Sequence, residues 1–174
     1  QVVAVQGFVD RAVAAGAELL CGGGRPAAAA APRLPPGGRG HFFAPTVLVD
    51  RGNRAAELWR EEVFGPVLAV RTFRGEAAAA AAANASAYGL AGAVFSGCAA
   101  QRARVLRALR CGVAWGNCSQ GPAFPQLPWG GLGRSGVGRD LGWAGLRGYL
   151  EPKSVVEYVG GAPLGWCAPP PPEP

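Results

Sequence analysis

The sequence predicts an α/β fold: a mostly parallel sheet with flanking helices, followed by one further strand near the C-terminus. Three observations predict it. Short apolar runs of strand length alternate with segments of helical periodicity. Apolar residues make up 49% of the 174 residues and charged ones 16%, so the chain can bury a core. Glycine and proline, 28 and 16 residues, concentrate in a few stretches that punctuate those runs.

Taken in order, Val5, Phe8, Val9, Ala12 and Val13 recur at helical spacing, and Gly16 ends that helix. AELLCGG reads as a short buried strand closed by glycines. Residues 25–40, RPAAAAAPRLPPGGRG, are low complexity and read as an exposed loop. HFFAPTVLVD is a strand broken by Pro45, AAELWREE a short helical turn, and PVLAVRTF another strand. Ala77 to Ala83 is the strongest intrinsic helix former in the chain. Gly89 precedes a strand at Leu90 to Phe95. A helix from Ala99 to Leu109 carries Val105, Leu106 and Leu109 on one face, and VAWGN follows as a strand. Asn117 to Gly138 reads as a long loop, of a length that usually serves function. A helix near Asp140 to Leu146, the alternating strand YLEPKSVVEYV and a Pro-rich tail complete the chain. The divisions are therefore 1–148 for the α/β part, 149–159 for the last strand, and 160–174 for a disordered or polyproline-like tail.

The net charge of +6 comes from 17 basic residues, of which only Lys153 is a lysine, against 11 acids. The arginines are scattered, and Arg102, Arg104, Arg107 and Arg110 read as a solvated helix face. Neither nucleic acid nor membrane is therefore expected as a partner: there is no compact basic patch and no apolar run of about 18 residues. The five cysteines (Cys21, Cys98, Cys111, Cys118 and Cys167) are odd in number and widely spaced, which fits neither a disulfide framework nor a zinc site. No metal is expected, and the compartment is expected to be reducing. The single histidine, His41, reads as a loop or strand-edge residue.

Some residues invite chemistry. Gly131, Gly133 and Gly136 satisfy G-x-G-x-x-G, with Glu157 downstream, but no strand leads into the first glycine, so a glycine-rich lead into a helix is the better reading. Glu61 and Glu62 point in different directions and make a poor acid/base pair. A single carboxylate there can accept two hydrogen bonds from a ribose diol, and Phe64 beside it offers a ring to a nicotinamide or ribose face. Trp115 and Trp129 present aromatic faces that attract a cation, the competing reading being ordinary core aromatics. Cys118 has polar neighbours but no local base to activate it.

WREEVFGPVLAVRTF, YGLAGAVFS, GVAWGNCSQ, PWGGLGRSGVGRDLG and YLEPKSVVEY, in this order, resemble the C-terminal part of the aldehyde dehydrogenase superfamily, over about residues 1–159. The tryptophan and NCSQ segments look most like the plant-type betaine aldehyde (aminoaldehyde) branch. The resemblance implies oxidation of an aldehyde to a carboxylic acid with NAD, through a cysteine thiohemiacetal and a thioester. It implies that Glu62 meets the nicotinamide-side ribose and that Phe64 packs beside it. Trp129 would line the aldehyde pocket, Trp115 would buttress it, and Val113 and Ala123 would shape it. Val113 is larger than suits a bulky cation, and Gly133 replaces a basic residue. Tyr149 to Val159 would be an oligomerisation strand building a homo-oligomer.

The family's nucleophilic cysteine, general-base glutamate, oxyanion asparagine and Rossmann domain fall before Gln1, so no catalytic residue is assigned here. With no signal-like leader at Gln1, the expectation is a fragment that is inactive alone. The rival expectation is a non-catalytic oligomerisation module. PPPPEP is not a peroxisomal tripeptide; the sequence does not give the compartment, and a reducing one, cytoplasm or plastid, is the expectation.

Overall fold

The computed structural model describes residues 1–26, 40–52, 54–119 and 124–161. Most of the low-complexity loop 25–40, Ala123 and the tail from residue 162 lie outside them. Helix α1 (Val2–Ala14) turns Val5, Val9 and Ala12 inward, at the predicted spacing. It ends where Gly16 takes φ +101° and the Ala17 amide donates to the Ala12 carbonyl at 3.0 Å, an αL closure that glycine reaches without a Cβ clash.

Strand β1 (Glu18–Cys21) pairs antiparallel with β2 (Thr46–Val49), and β2 pairs parallel with β3 (Val67–Val70). Between them lies the single-turn helix α2 (Ala56–Arg60). The core forms where α1 and α2 cover this sheet: Val9, Ala12, Ala17, Leu48, Ala55 and Leu58 are buried together, with Phe43, Val63, Val67 and Ala69 packed around them. Leu48 is 0% exposed, so this one side chain contributes about 1.5–3 kcal/mol of burial.

In the second half, α3 (Glu76–Asn84) and α4 (Ala99–Ala108) lie beside a parallel pair, β5 (Ala91–Val94) and β6 (Val113–Gly116). Arg104 grips Glu76 with both guanidinium arms, at 2.9 and 2.6 Å, and Asn84 ties the two helix ends by accepting from the Arg110 amide and donating to the Ala108 carbonyl. Strand β4 (Tyr88–Gly89) pairs antiparallel with β7 (Leu132–Gly133), and α5 (Gly142–Arg147) follows.

The α/β class is as the sequence predicts, and the longer ladders are parallel, but the strands form three small sheets rather than one. Three other expectations are corrected. Strand β1 is exposed along its whole length. The stretch Asn117 to Gly138 is not one loop, since β7 and an antiparallel bridge between Trp129 and Asp140 interrupt it. The glycine-rich run does not lead straight into a helix: β7 and a turn intervene, and α5 begins only at Gly142. Tyr149 to Val159, expected to pair with a second chain, makes no ladder with the other described residues. Tyr149, Val155, Val156 and Val159 are 86%, 81%, 92% and 89% exposed. Among the described residues no helix is long and apolar enough to cross a membrane.

Candidate functional site

Helix α2 ends at Glu61, which turns extended (φ −112°, ψ 152°). The next residues alternate: Glu62 and Phe64 are exposed while Val63 packs on the core. Alternation in an extended segment places Glu62 and Phe64 on the side away from the core, as a clamp on a ligand requires. Phe64 is 74% exposed and sits at φ +53°, a costly conformation for a residue with a Cβ. Two contacts with α1 hold it there. The Gln1 side-chain amide donates to the Phe64 carbonyl at 2.7 Å, and Gly65 lies so close to α1 that an added Cβ would come within 2.6 Å of Val5 Cγ2. No hydrogen bond reaches the Glu62 carboxylate from the other described residues, so both of its oxygens are open to a ligand.

Trp129 stands 40% exposed at the rim of an open recess of about 410 Å³, with Leu90, Ser135, Val137, Arg139 and Asp140 among its walls. The antiparallel bridge to Asp140, with N–H···O distances of 2.7 and 2.8 Å, fixes the Trp129 backbone. Ser135 Oγ accepts from the Gly89 amide at 3.0 Å, fastening this loop to β4. Arg139 donates to the Gly131 carbonyl at 3.0 Å and to the Gly138 carbonyl at 2.6 Å, closing the turn on itself.

Val113 and Trp115 alternate with Ala114 along β6 and so share one face of that strand, where both are half-buried. The chain brings Val113 near Trp129 through glycines: Gly112 lies against the Gly130 carbonyl with no room for a Cβ, and the Val113 amide donates to the carbonyl of Leu90, a wall of the recess, at 3.1 Å. Asn117, at φ +54°, closes the end of β6 by accepting from the Ser96 amide at 2.9 Å, a left-handed position that Asn tolerates. Ala123 falls outside the described residues. Gly133 occupies φ +58°, and its Cα lies against the Ala87 carbonyl.

Glu62 and Phe64 are not among the walls of the Trp129 recess. The two regions meet one residue away from Glu62. Arg134 donates to both Glu61 oxygens, at 3.2 and 3.4 Å, and stacks its guanidinium 4.9 Å from the Tyr88 ring centre. Reading the sequence missed this pair, because Glu61 was weighed only as half of an acid/base couple.

A second unforeseen feature lies behind the clamp. Asp50 is 1% exposed and accepts from the Arg54 and Ala55 amides and from the Trp59 indole N–H. Burial pushes its carboxyl up, but the hydrogen bonds from Trp59, Arg54, Ala55 and Gly52 outweigh that and hold it below the usual carboxylate value. The signal was present as an Asp between a strand and a helix, a position where a carboxylate meets open amides. Arg11 likewise holds Glu57 low, through side-chain hydrogen bonds at 2.8 and 2.9 Å.

The aldehyde dehydrogenase family model matches residues 1–155. The chain is 45% identical over 166 residues to aminoaldehyde dehydrogenase 2 of Zea mays, covering 95% of this chain and 31% of that protein. It is 43% identical over 159 residues to a chloroplastic betaine aldehyde dehydrogenase of Atriplex hortensis, covering 91% of this chain and 30% of that one. Among solved structures, a betaine aldehyde dehydrogenase from Staphylococcus aureus in complex with NAD+ superposes with a TM-score of 0.79 at 38% identity, over 95% of this chain and 31% of that one. An NAD-dependent aldehyde dehydrogenase from Sinorhizobium meliloti gives a TM-score of 0.80 at 34% identity, over 94% of this chain and 30% of that one. The chain thus spans about 30% of the length of these relatives. On the match over residues 1–155, the chain belongs to the aldehyde dehydrogenase family.

Proposed function

We propose that this chain is the part of an NAD-dependent aldehyde dehydrogenase that grips the cofactor ribose and walls the aldehyde pocket. The observation that carries this reading is the pair Glu62 and Phe64, exposed on one side of a segment whose intervening Val63 is held by the core. The residues fit NAD. A carboxylate with no hydrogen-bond partner among the described residues can accept from both hydroxyls of a ribose diol, and an exposed phenyl ring beside it covers an apolar ring face. NAD, when bound, supplies the two-electron acceptor for oxidation of the aldehyde to the acid. This chain's residues bind and orient: Glu62 fixes the ribose, Phe64 limits sliding of the ring it covers, and Trp129 presents its indole to the aldehyde.

The substrate class we infer is an aminoaldehyde or betaine aldehyde. A tryptophan face attracts an ammonium group; the recess walls also carry one charge of each sign, Arg139 and Asp140. Trp115 supports the strand next to the recess, Val113 sets its width, and Ala123 belongs to the same pocket. We assign Tyr149 to Val159 to a homo-oligomer contact, on the support of an alternating and exposed segment. A reducing compartment, cytoplasm or plastid, suits free Cys21, Cys98, Cys111 and Cys118.

The test fuses this whole chain behind the N-terminal part of the maize relative and follows NADH formation with an aminoaldehyde. Turnover is expected from the fusion and none from the chain by itself. Glu62→Gln should raise the KM for NAD by about tenfold, the loss of roughly one charge-assisted hydrogen bond. An inactive fusion, or an unchanged KM in Glu62→Gln, overturns the reading.

A further inference from the structure

Helix α2 is too short to hold itself. Five residues close about one turn, and a lone turn is unfavourable without outside contacts. Its direction is therefore set by what grips it, and the clamp leaves from its end, with Glu62 three residues beyond Trp59.

Three side chains grip it. Leu58 enters the core at 7% exposure, and Glu57 is held by Arg11. Apolar burial at Leu58 fixes how deep α2 lies but is non-directional, so it leaves the helix able to roll. The ion pair at Glu57 is exposed and screened by water. Trp59 is different. Neighbouring helical positions lie about 100° apart, so its side chain leaves the axis in another direction from that of Leu58. Its indole N–H donates to Asp50 Oδ2 at 2.8 Å. The other face of the indole network is also anchored: the Arg71 guanidinium lies 4.5 Å from the ring centre and donates to the Ala82 carbonyl of α3 at 2.7 Å.

Asp50 is suited to be the fixed point. It directly follows β2, whose residues are buried or half-buried, and its two oxygens divide the work. Oδ1 accepts from the Arg54 amide at 3.0 Å; Oδ2 takes the Ala55 amide at 3.1 Å together with the indole. The same carboxylate thus fixes where α2 begins and how it is rolled.

We propose that Asp50, acting through the Trp59 indole, is a positioning residue that aims the Glu62 carboxylate at the cofactor ribose. The inference rests on the cofactor role of Glu62 proposed above. Neither residue touches the ligand. Each acts by fixing the angle at which the chain leaves α2.

The test uses the fusion described above, which contains this whole chain, and measures the dissociation constant for NAD directly, so turnover is not needed. Trp59→Phe removes the indole donor but keeps an aromatic ring over Arg71 and leaves both amides bound to Asp50. Asp50→Asn removes the charge and one acceptor. Each is expected to weaken NAD by about five- to tenfold while the KM for aldehyde stays within about twofold, and the double variant should be no worse than the weaker-binding single, as for residues acting in one chain. Should Asp50→Asn not fold, Trp59→Phe alone decides. Unchanged NAD affinity in Trp59→Phe overturns the inference and leaves the role of Glu62 standing. Equal losses for NAD and aldehyde overturn it too, since that is general loosening. A fusion that binds no NAD overturns the cofactor reading and this inference with it.

Discussion

Arg134 donates to Glu61 across 73 residues of sequence, at 3.2 Å, and so joins the segment that carries Glu62 and Phe64 to the loop that carries Trp129. It is a direct side-chain tie between the segment after α2 and the loop at the Trp129 recess. Both partners are about half exposed, so the pair is a guide to register more than a source of stability.

Glu61→Gln should accordingly cost only about 0.2–1 kcal/mol of unfolding free energy. That difference should fade in about 1 M salt, where screening acts within about 3 Å. Urea unfolding of the two proteins at low and high salt checks it. The stacking of Arg134 over Tyr88 should survive in the variant, since it does not need the carboxylate.

Asp50 gives a pH-dependent prediction. Its folded carboxyl titrates below the usual value, so its contribution is present above the unfolded value of about 3.9 and is lost as pH falls through the folded one. Asp50→Asn should cost about 1–3 kcal/mol at pH 7, from donors left without an acceptor. The gap between wild type and variant should shrink steadily below about pH 4. Urea midpoints measured from pH 7 down to the acid limit test the sign. A gap that widens in acid contradicts the hydrogen bonding described here.

Gly65 is required by close approach. An alanine there drives a methyl group into Val5, 2% exposed in α1, and should cost about 1–3 kcal/mol through overpacking. Val5→Ala opens room at the same place. The double variant should therefore be less destabilised than the sum of the singles, a coupling readable by thermal or denaturant melts.

Trp129→Ala should discriminate between substrates in the fusion. Loss of a tryptophan face weakens a cationic aldehyde by about 0.5–2 kcal/mol and leaves a neutral aliphatic one nearly unaffected. Comparing kcat/KM for the two classes tests it, and equal losses would speak for packing in place of cation recognition.

Val156→Asp should shift any oligomer toward monomer, because it places a charge in the middle of the exposed alternating segment. Light scattering at several concentrations reads the outcome, and an unchanged mass assigns the contact elsewhere.

Much of the secondary structure was legible in the sequence. The spacing of Val5, Val9 and Ala12 gave α1, the alanine run gave α3, and Gly16 marked a helix end, because these follow from local periodicity and backbone freedom. Strand β1 was misjudged as buried, since burial depends on neighbours that a local pattern does not contain.

By itself, then, the sequence determined which residues can form helices and strands, and which carboxylate and aromatic rings are available for chemistry, because those are properties of short windows of chain. Only the tertiary structure decided that Arg134 reaches Glu61, that Gly65 rests on Val5, and that Asp50 holds Trp59 behind the clamp. Two of these join residues more than 50 positions apart. The third depends on the turn that returns α2 against the end of β2. Such contacts are selected by packing of whole elements, which no local pattern specifies.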